Sequence, residues 1–277
     1  MAEFDLDRYF RRIGYAGSRQ PTRETLFAIH AAHATTIPFE NLNPVLRWPV
    51  KLDLPSLETK IVQEGRGGWC YEHNLLLSQV LRSLGFDVTW LAARVLWNAP
   101  EGTLPPRSHM LMQVMVEGTP YLVDVGFGGM TLTTPLHLEA GQEQATTLEP
   151  FRLVRQGNDF IKQAKIRDDW KTLYRFDLQE QQLSDYEVSN WYLSHFPDCF
   201  LIHELLLARP DHGRRFMLRN NNLAIHSLTG ESEKRQLTTA SQLREVLERD
   251  FRLCLPHSPE VQAMLEKYAA LPPPEEK

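Results

Sequence analysis

The run Arg66-Gly67-Gly68-Trp69-Cys70-Tyr71-Glu72-His73-Asn74 constrains this chain more than any other stretch. Two adjacent glycines lead into apolar positions at Leu77, Val80, Leu81 and Leu84, the i, i+3, i+4, i+7 spacing of an amphipathic helix, and Gly85 supplies the stop. A helix that begins near Cys70 sets the thiol beside unpaired backbone N–H groups at the positive end of the helix dipole. That setting favours the thiolate. A thiolate attacks at neutral pH where a thiol does not. Cys70 reads as a nucleophile.

A nucleophile of this kind needs a base and a group to orient the base, and two strand-like runs offer them. Arg107-Ser108-His109-Met110-Leu111-Met112-Gln113-Val114 carries a histidine near its start, and Tyr121-Leu122-Val123-Asp124-Val125-Gly126-Phe127-Gly128-Gly129 carries an aspartate before a glycine-rich turn. His109 can take the proton of Cys70, and Asp124 can fix the imidazole tautomer. The Glu117-Gly118-Thr119-Pro120 segment between them reads as a hairpin turn. With Gly118-Thr119 as a two-residue turn, Asp124 opposes Gln113, and His109 lies about 13 Å away along the strand at ~3.3 Å per residue. A wider turn, curvature or another register must close that gap. His73, three residues after Cys70, is a rival base on the same helix.

These blocks, with Ile37-Pro38-Phe39-Glu40-Asn41-Leu42 upstream and Tyr174-Arg175-Phe176-Asp177 and Ser184-Asp185-Tyr186 downstream, resemble the signature of the arylamine N-acetyltransferases. The resemblance runs from the first helix past Asn190. It implies an α+β fold with an N-terminal helical bundle (1–85), a central antiparallel β-barrel (86–190) and a C-terminal α/β lid (191–277), around a cysteine-protease-like Cys-His-Asp core. It implies acetyl-CoA as cosubstrate, with no tightly bound cofactor. The reaction it implies is N-acetylation of arylamines and hydrazines and O-acetylation of arylhydroxylamines, by a ping-pong route through acetylated Cys70.

The family often has glutamine where His73 stands, so the resemblance favours His109 as the base. It pairs the positions of Glu40 and Arg66 as a buried salt bridge that supports the Cys70 turn. Phe39 and Phe127 carry over as walls of an aromatic acceptor slot, and Trp69 and Val95 are further candidates; plain core packing is an equal reading for Trp69. Gly126, Gly128 and Gly129 are candidates for approach by the pantetheine arm of CoA. At the start of the third unit the family often shows Pro-x-Ser-x-Phe. Here the chain reads Pro197-Asp198-Cys199-Phe200-Leu201, with cysteine for serine and Phe200 one place early.

The order Cys, His, Asp also suits a papain-like or transglutaminase-like thiol hydrolase, and an amide synthase of polyketide biosynthesis would use the same triad. A thiol sensor or small-molecule binding protein is the non-enzymatic alternative. A net charge of −5 argues against a nucleic-acid or anionic-membrane partner. No run approaches the roughly 18 apolar residues that span a bilayer. Met1-Ala2-Glu3-Phe4-Asp5 lacks the pattern of a signal peptide, and three scattered cysteines (Cys70, Cys199, Cys254) suit a reducing cytoplasm. His195, Cys199 and His203 recur at intervals of four, but Pro197 breaks the helix such a metal site needs, so no metal is expected.

Local signals fill in the rest. Helices are expected over Asp5–Ile13, from a Thr22 cap through His33, from a Ser56 cap through Val62, and from a Ser241 cap through Leu247 as the final helix. Strands are expected at Val88–Trp97, Met110–Val116, Tyr121–Val125, Phe151–Val154, Phe160–Ile166 and Trp170–Phe176, with Phe216–Leu218 pairing Leu223–Ser227. Leu271–Lys277 reads as a disordered tail.

Overall fold

Helix α1 (Leu6–Ile13) begins where the Asp5 carboxylate accepts the Arg8 N–H, and it ends at Gly14 in the left-handed conformation. The structure, a computed structural model, describes residues 4–273 apart from 101, 229 and 231. The first residues of the leader reading and the last four of the expected tail therefore lie outside the described residues. Helix α2 (Arg23–Thr36) has Thr22 as its cap, as expected. Strand β1 (Phe39–Glu40) and the short helix α3 (Leu42–Val45) follow. Helix α4 (Leu54–Leu57) runs on into a π-helical turn, Glu58–Gln63. Its cap is Asp53 and not Ser56: Asp53 Oδ1 accepts the Ser56 N–H at 3.0 Å. Asp caps well and Pro55 suits the first turn, so the helix starts earlier than the serine suggests. Helix α5 (Cys70–Ser83) closes this part of the chain, with Gly85 at φ +90° just beyond it.

Eight antiparallel strands follow: β2 (Asp87–Val95), β3 (Arg107–Val116), β4 (Thr119–Val123), β5 (Leu136–His137), β6 (Glu143–Gln144), β7 (Phe151–Gln156), β8 (Asp159–Ile166) and β9 (Asp169–Phe176). Their order in the sheet is β5-β4-β3-β2-β9-β8-β7-β6. The sheet curls into a nearly closed barrel. Its two edges meet through one amide side chain, because Gln144 accepts the His137 N–H at 2.7 Å and donates to the His137 carbonyl at 2.9 Å. Strand β3 is buried on both faces. Met110, Met112, Val114 and Val116 pack toward the helices, while Leu111, with Leu91, Ala93 and Leu122, points into the barrel. That two-sided burial explains its nearly unbroken apolar sequence.

Helix α6 (Leu183–His195) leads to a second antiparallel sheet of β10 (Leu206–Asp211), β11 (Arg214–Arg219), β12 (Asn222–Ser227) and β13 (Ser232–Gln236). β1 joins its edge, pairing Phe39 with Ala208, so a segment from the first helices completes a sheet built near the C-terminus. Helix α7 (Ala240–Arg249) starts from Thr239, whose hydroxyl accepts the Gln242 N–H while Gln242 reaches back to the Thr239 N–H. This reciprocal box leaves Ser241 inside the first turn. The final helix is α8 (Pro259–Ala269), capped by Ser258 with proline in its first turn. Among the described residues no helix is long and apolar enough to cross a membrane.

Candidate active site

The glycine-rich turn before α5 has the shape it has because another strand of backbone lies against it. The Glu40 N–H donates to the Gly68 carbonyl at 2.9 Å, and a Cβ on Gly67 would stand 2.1 Å from the Pro38 oxygen. Only glycine fits there. The Pro38-Phe39-Glu40 and Arg66-Gly67-Gly68 blocks are thus zipped together, and their charges meet. Arg66 Nη2 donates to Glu40 Oε1 at 2.7 Å, with Arg66 Nε at 3.1 Å from the same oxygen. Burial alone would raise the Glu40 carboxyl, but Arg66 and Lys60 hold it down to about 2. Glu72 accepts the Trp69 N–H at 3.0 Å and Lys60 at 2.7 Å, which fixes the first turn of α5.

Cys70 is the first residue of α5 and keeps 7% of its surface exposed. Its Sγ lies 3.8 Å from the Ser108 carbonyl oxygen. Ser108 is the extra residue of a β-bulge, since Ala93 pairs His109 while Arg94 pairs Arg107. Such bulges re-aim neighbouring side chains. Here the bulge brings the start of β3 to the thiol, and the Cys70 sulfur lies close enough to His109 to favour its protonated form.

The gap between His109 and Asp124 closes through the turn. The loop residues are Glu117 and Gly118, both at positive φ (+50° and +78°), and Val116 pairs Thr119. This is the primed turn that suits the twist of a hairpin. It corrects the Gly118-Thr119 turn expected from sequence, where glycine was placed first and not second. The register moves by two residues, so Asp124, just past the end of β4, falls level with Leu111 and not with Gln113. Asp124 Oδ2 then accepts from His109 Nε2 at 2.9 Å. The other ring nitrogen, Nδ1, is left for the thiol.

Asp124 is wholly buried and densely held. Tyr174 donates to Oδ2 at 2.9 Å, while Asn74 Nδ2 at 3.3 Å and the Gly126 N–H at 3.1 Å reach Oδ1. Lys162 Nζ stands 3.7 Å from Oδ2. Burial would raise the carboxyl, yet His109 and these partners hold it well below the usual range. Burial likewise opposes the charged form of His109, but the Asp124 charge and the Cys70 sulfur lift it to about 9. At neutral pH this histidine is an imidazolium.

His73 has the opposite surroundings. His73 Nε2 meets the Pro38 carbonyl at 3.1 Å, and its Nδ1 lies 2.9 Å from His33 Nε2. His33 Nδ1 in turn lies 2.8 Å from the Tyr9 hydroxyl. The carbonyl can only accept, so His73 Nε2 donates, His33 donates to His73, and Tyr9 donates to His33. Both ring nitrogens of His73 are engaged away from Cys70, and burial lowers it to about 4.

The remaining expected residues fall in several places. Phe127 packs edge-on against His109, with centroids 5.0 Å apart at 77°. The Phe39 ring lies 3.6 Å from a Cβ placed on Gly128. Val95 ends β2 opposite Tyr174. Trp69 is buried and its Nε1 donates to Asn190 Oδ1 at 3.1 Å. A Cβ on Gly126 would stand 2.6 Å from Cys70 Cα, and one on Gly129 2.6 Å from Met217 Cε, so the protein itself fills their bare faces. Phe200 is 57% exposed on a short turn after α6. His195 and His203 bond backbone carbonyls, of Trp191 and Pro197.

Sequence reasoning passed over Asn74, Lys162 and Tyr174 as members of the site. Two signals were available. Asn74 lies one helical turn after Cys70 on a buried face. Lys162 alternates with Phe160 and Ala164 on the apolar face of its strand, where a lysine needs a partner.

A family model of N-acetyltransferases matches residues 22–260. The arylamine N-acetyltransferase of Mycolicibacterium smegmatis is 43% identical over 255 residues, covering 91% of this chain and 92% of the relative. The chain belongs to the arylamine N-acetyltransferase family. Solved arylamine N-acetyltransferases agree in fold. That of Mycobacterium marinum superposes with a TM-score of 0.92 at 39% identity, covering 96% of this chain and all of the other. The same protein solved in complex with CoA gives 0.91 at 39% identity, covering 95% of this chain and 99% of the other. The α+β architecture expected from the sequence blocks is that of these acetyltransferases.

Proposed function

We propose that this chain transfers an acetyl group from acetyl-CoA to arylamines and hydrazines, and to the oxygen of arylhydroxylamines, with Cys70, His109 and Asp124 as the catalytic triad. The observation that carries this is a single contact chain: Cys70 at the first position of α5, His109 as its partner, and Asp124 on the far nitrogen of that imidazole. Family membership and the CoA complex of the Mycobacterium marinum relative support acetyl-CoA as the donor.

The steps follow from the charges. The Cys70 thiolate attacks the thioester carbonyl, stabilised by the free amides of the first turn of α5. The carbon–sulfur bond to CoA breaks, and the departing thiolate takes a proton from His109. An arylamine, uncharged at pH 7, then attacks the acetyl-cysteine. Its proton passes to His109 as the Cys70 thiolate leaves. Two half-reactions through a covalent intermediate make the kinetics ping-pong.

Phe39 and Phe127 would wall the acceptor slot beside His109, with Val95 and Trp69 behind them. CoA would approach along the Gly126–Gly129 backbone and the exposed Phe200 ring. Because protein atoms fill the bare faces of Gly126 and Gly129, CoA contacts there would be to backbone groups. Glu40 and Arg66 would act as structural support. We also read residues 1–85, 86–190 and 191–277 as three units, with α6 bridging the last two, and the three free cysteines suit a cytoplasmic setting.

Brief exposure to acetyl-CoA without acceptor is expected to add one acetyl group to the Cys70 peptide, read by mass spectrometry, and a later arylamine should remove it. An adduct confined to Cys199 or Cys254 would overturn the assignment.

A further inference from the structure

We propose that Lys162 is a positioning residue that serves as the counter-ion of Asp124 during the amine half-reaction, so that His109 can become neutral and accept the amine's proton. This inference rests on the ping-pong reading above.

Lys162 is 0% exposed, and its side chain points into the barrel. Its Nζ has no hydrogen-bond partner among the described residues. Its nearest charge is Asp124, 3.7 Å away. Three rings surround it: Tyr174 at 4.7 Å, Phe151 at 5.0 Å and Phe127 at 5.5 Å from Nζ to centroid. Aromatic faces stabilise a desolvated cation, and a buried ammonium is retained only where a charge answers it. A second β-bulge sets this arrangement. Lys162 pairs Tyr174 while Gln163 pairs Thr172, which leaves Leu173 as the extra residue of β9. Tyr174 and Lys162 therefore face Asp124 together.

The charges around Asp124 come from every side of the site. His109 stands on β3, Cys70 and Asn74 on α5, and Tyr174 on β9. Arg215 on β11 opposes the charge of Lys162 from a distance, and His30 on α2, buried and lowered to about 3, is neutral. Burial lowers Lys162 and Arg215 adds to that, but Asp124 sustains it at about 8, so it is charged at neutral pH.

In the resting state Asp124 faces two positive groups, His109 and Lys162, with the Cys70 sulfur on the other side of the imidazole. When the amine attacks, the new C–N bond forms, the C–S bond breaks, and the amine proton must go to a neutral His109. Without Lys162, a neutral His109 would leave Asp124 hydrogen-bonded by Tyr174, Asn74 and the Gly126 N–H but with no positive charge beside it. His109 would then hold its proton more tightly. With Lys162 in place, Asp124 keeps a positive charge beside it at each stage.

The test separates the half-reactions in Lys162→Met, with Lys162→Gln as a second neutral variant and thermal melting to select folded protein. CoA release without acceptor reports the first step, and mixing the acetyl-enzyme with an arylamine reports the second. At pH 7 the amine step is expected to slow about tenfold relative to acetylation, and its rising pH limb to move about one unit toward alkaline pH. Equal losses in both steps with an unmoved limb would overturn the proposal and leave Lys162 a packing residue. So would collapse of both variants, which would place the charge in the service of folding. Failure of the unsubstituted protein to form acetyl-Cys70 would instead defeat the ping-pong reading.

Discussion

Two buried histidines lie on either side of the start of α5, His73 on the helix itself and His109 on β3, and they end in opposite charge states. On the helical side His73 sits in a chain that runs from Tyr9 through His33 to the Pro38 carbonyl, and burial takes it down to about 4. On the barrel side His109 meets a carboxylate and a sulfur and is lifted to about 9. Burial works against the charged form of both rings. The difference lies in the partner: a carbonyl is satisfied by a neutral imidazole, whereas Asp124 rewards a protonated one. A histidine's value as a base cannot be read from its distance along the chain to a cysteine, since His73 is closer in sequence and unavailable.

The harshest way to break this contrast is to make His109 resemble His73. Asp124→Asn keeps the shape and removes the charge, and in the serine-protease form of this arrangement the change costs about 10⁴ in kcat. A loss of about 10³–10⁴ in acetyl transfer is expected here, with the protein still folded by circular dichroism. Near-normal turnover by a well-folded variant would remove Asp124 from the triad.

A gentler probe uses acid. The folded-state pKa of His73 lies below its unfolded value, so its stabilising contribution is complete above about 6.5 and is lost as pH falls toward 4. A shift from 6.5 to about 4 corresponds to about 3 kcal/mol over that window. His73→Gln should flatten the acid side of a urea-stability profile between those limits. His109 has the reverse sign: its contribution is complete below about 6.5 and declines as pH rises through about 9. A profile whose acid limb is unchanged in His73→Gln would show that the ring is not held neutral. The smallest expected effect is that of Tyr9→Phe, which removes the first donor of the chain. It should cost about 1 kcal/mol of stability and leave acetyl transfer intact.

The positions of the three residues proposed as the triad were legible from local signals. Cys70 announced itself through its glycines and helix, and His109 and Asp124 through their strand ends. What the sequence withheld depended on single-residue offsets. Glu117 adopts positive φ, which glutamate rarely does, so the turn sat one place earlier than glycine suggested and the register moved with it. The bulges at Ser108 and Leu173 have no local signature, yet they aim the thiol's neighbour and bring Lys162 and Tyr174 to Asp124. Caps were misplaced where serine lay near a better candidate, Asp53 in one case and Thr239 in the other. Ser258-Pro259, a start signal for α8, was passed over.

The first turn of α5 is tied in three directions within five residues. Cys70 reaches the bulged end of β3, His73 reaches Pro38 and His33, and Asn74 donates to the Met110 carbonyl at 2.8 Å and accepts the Val125 N–H at 3.2 Å. Helix termini usually fray, opening and closing many times before the molecule unfolds. This one cannot open without breaking bonds to the helical core and to two strands at once. The backbone around Cys70 is therefore held by side-chain bonds to the rest of the fold while N–H groups of the first turn stay free to point at a bound group, so the exposed end of the helix dipole is also held in place.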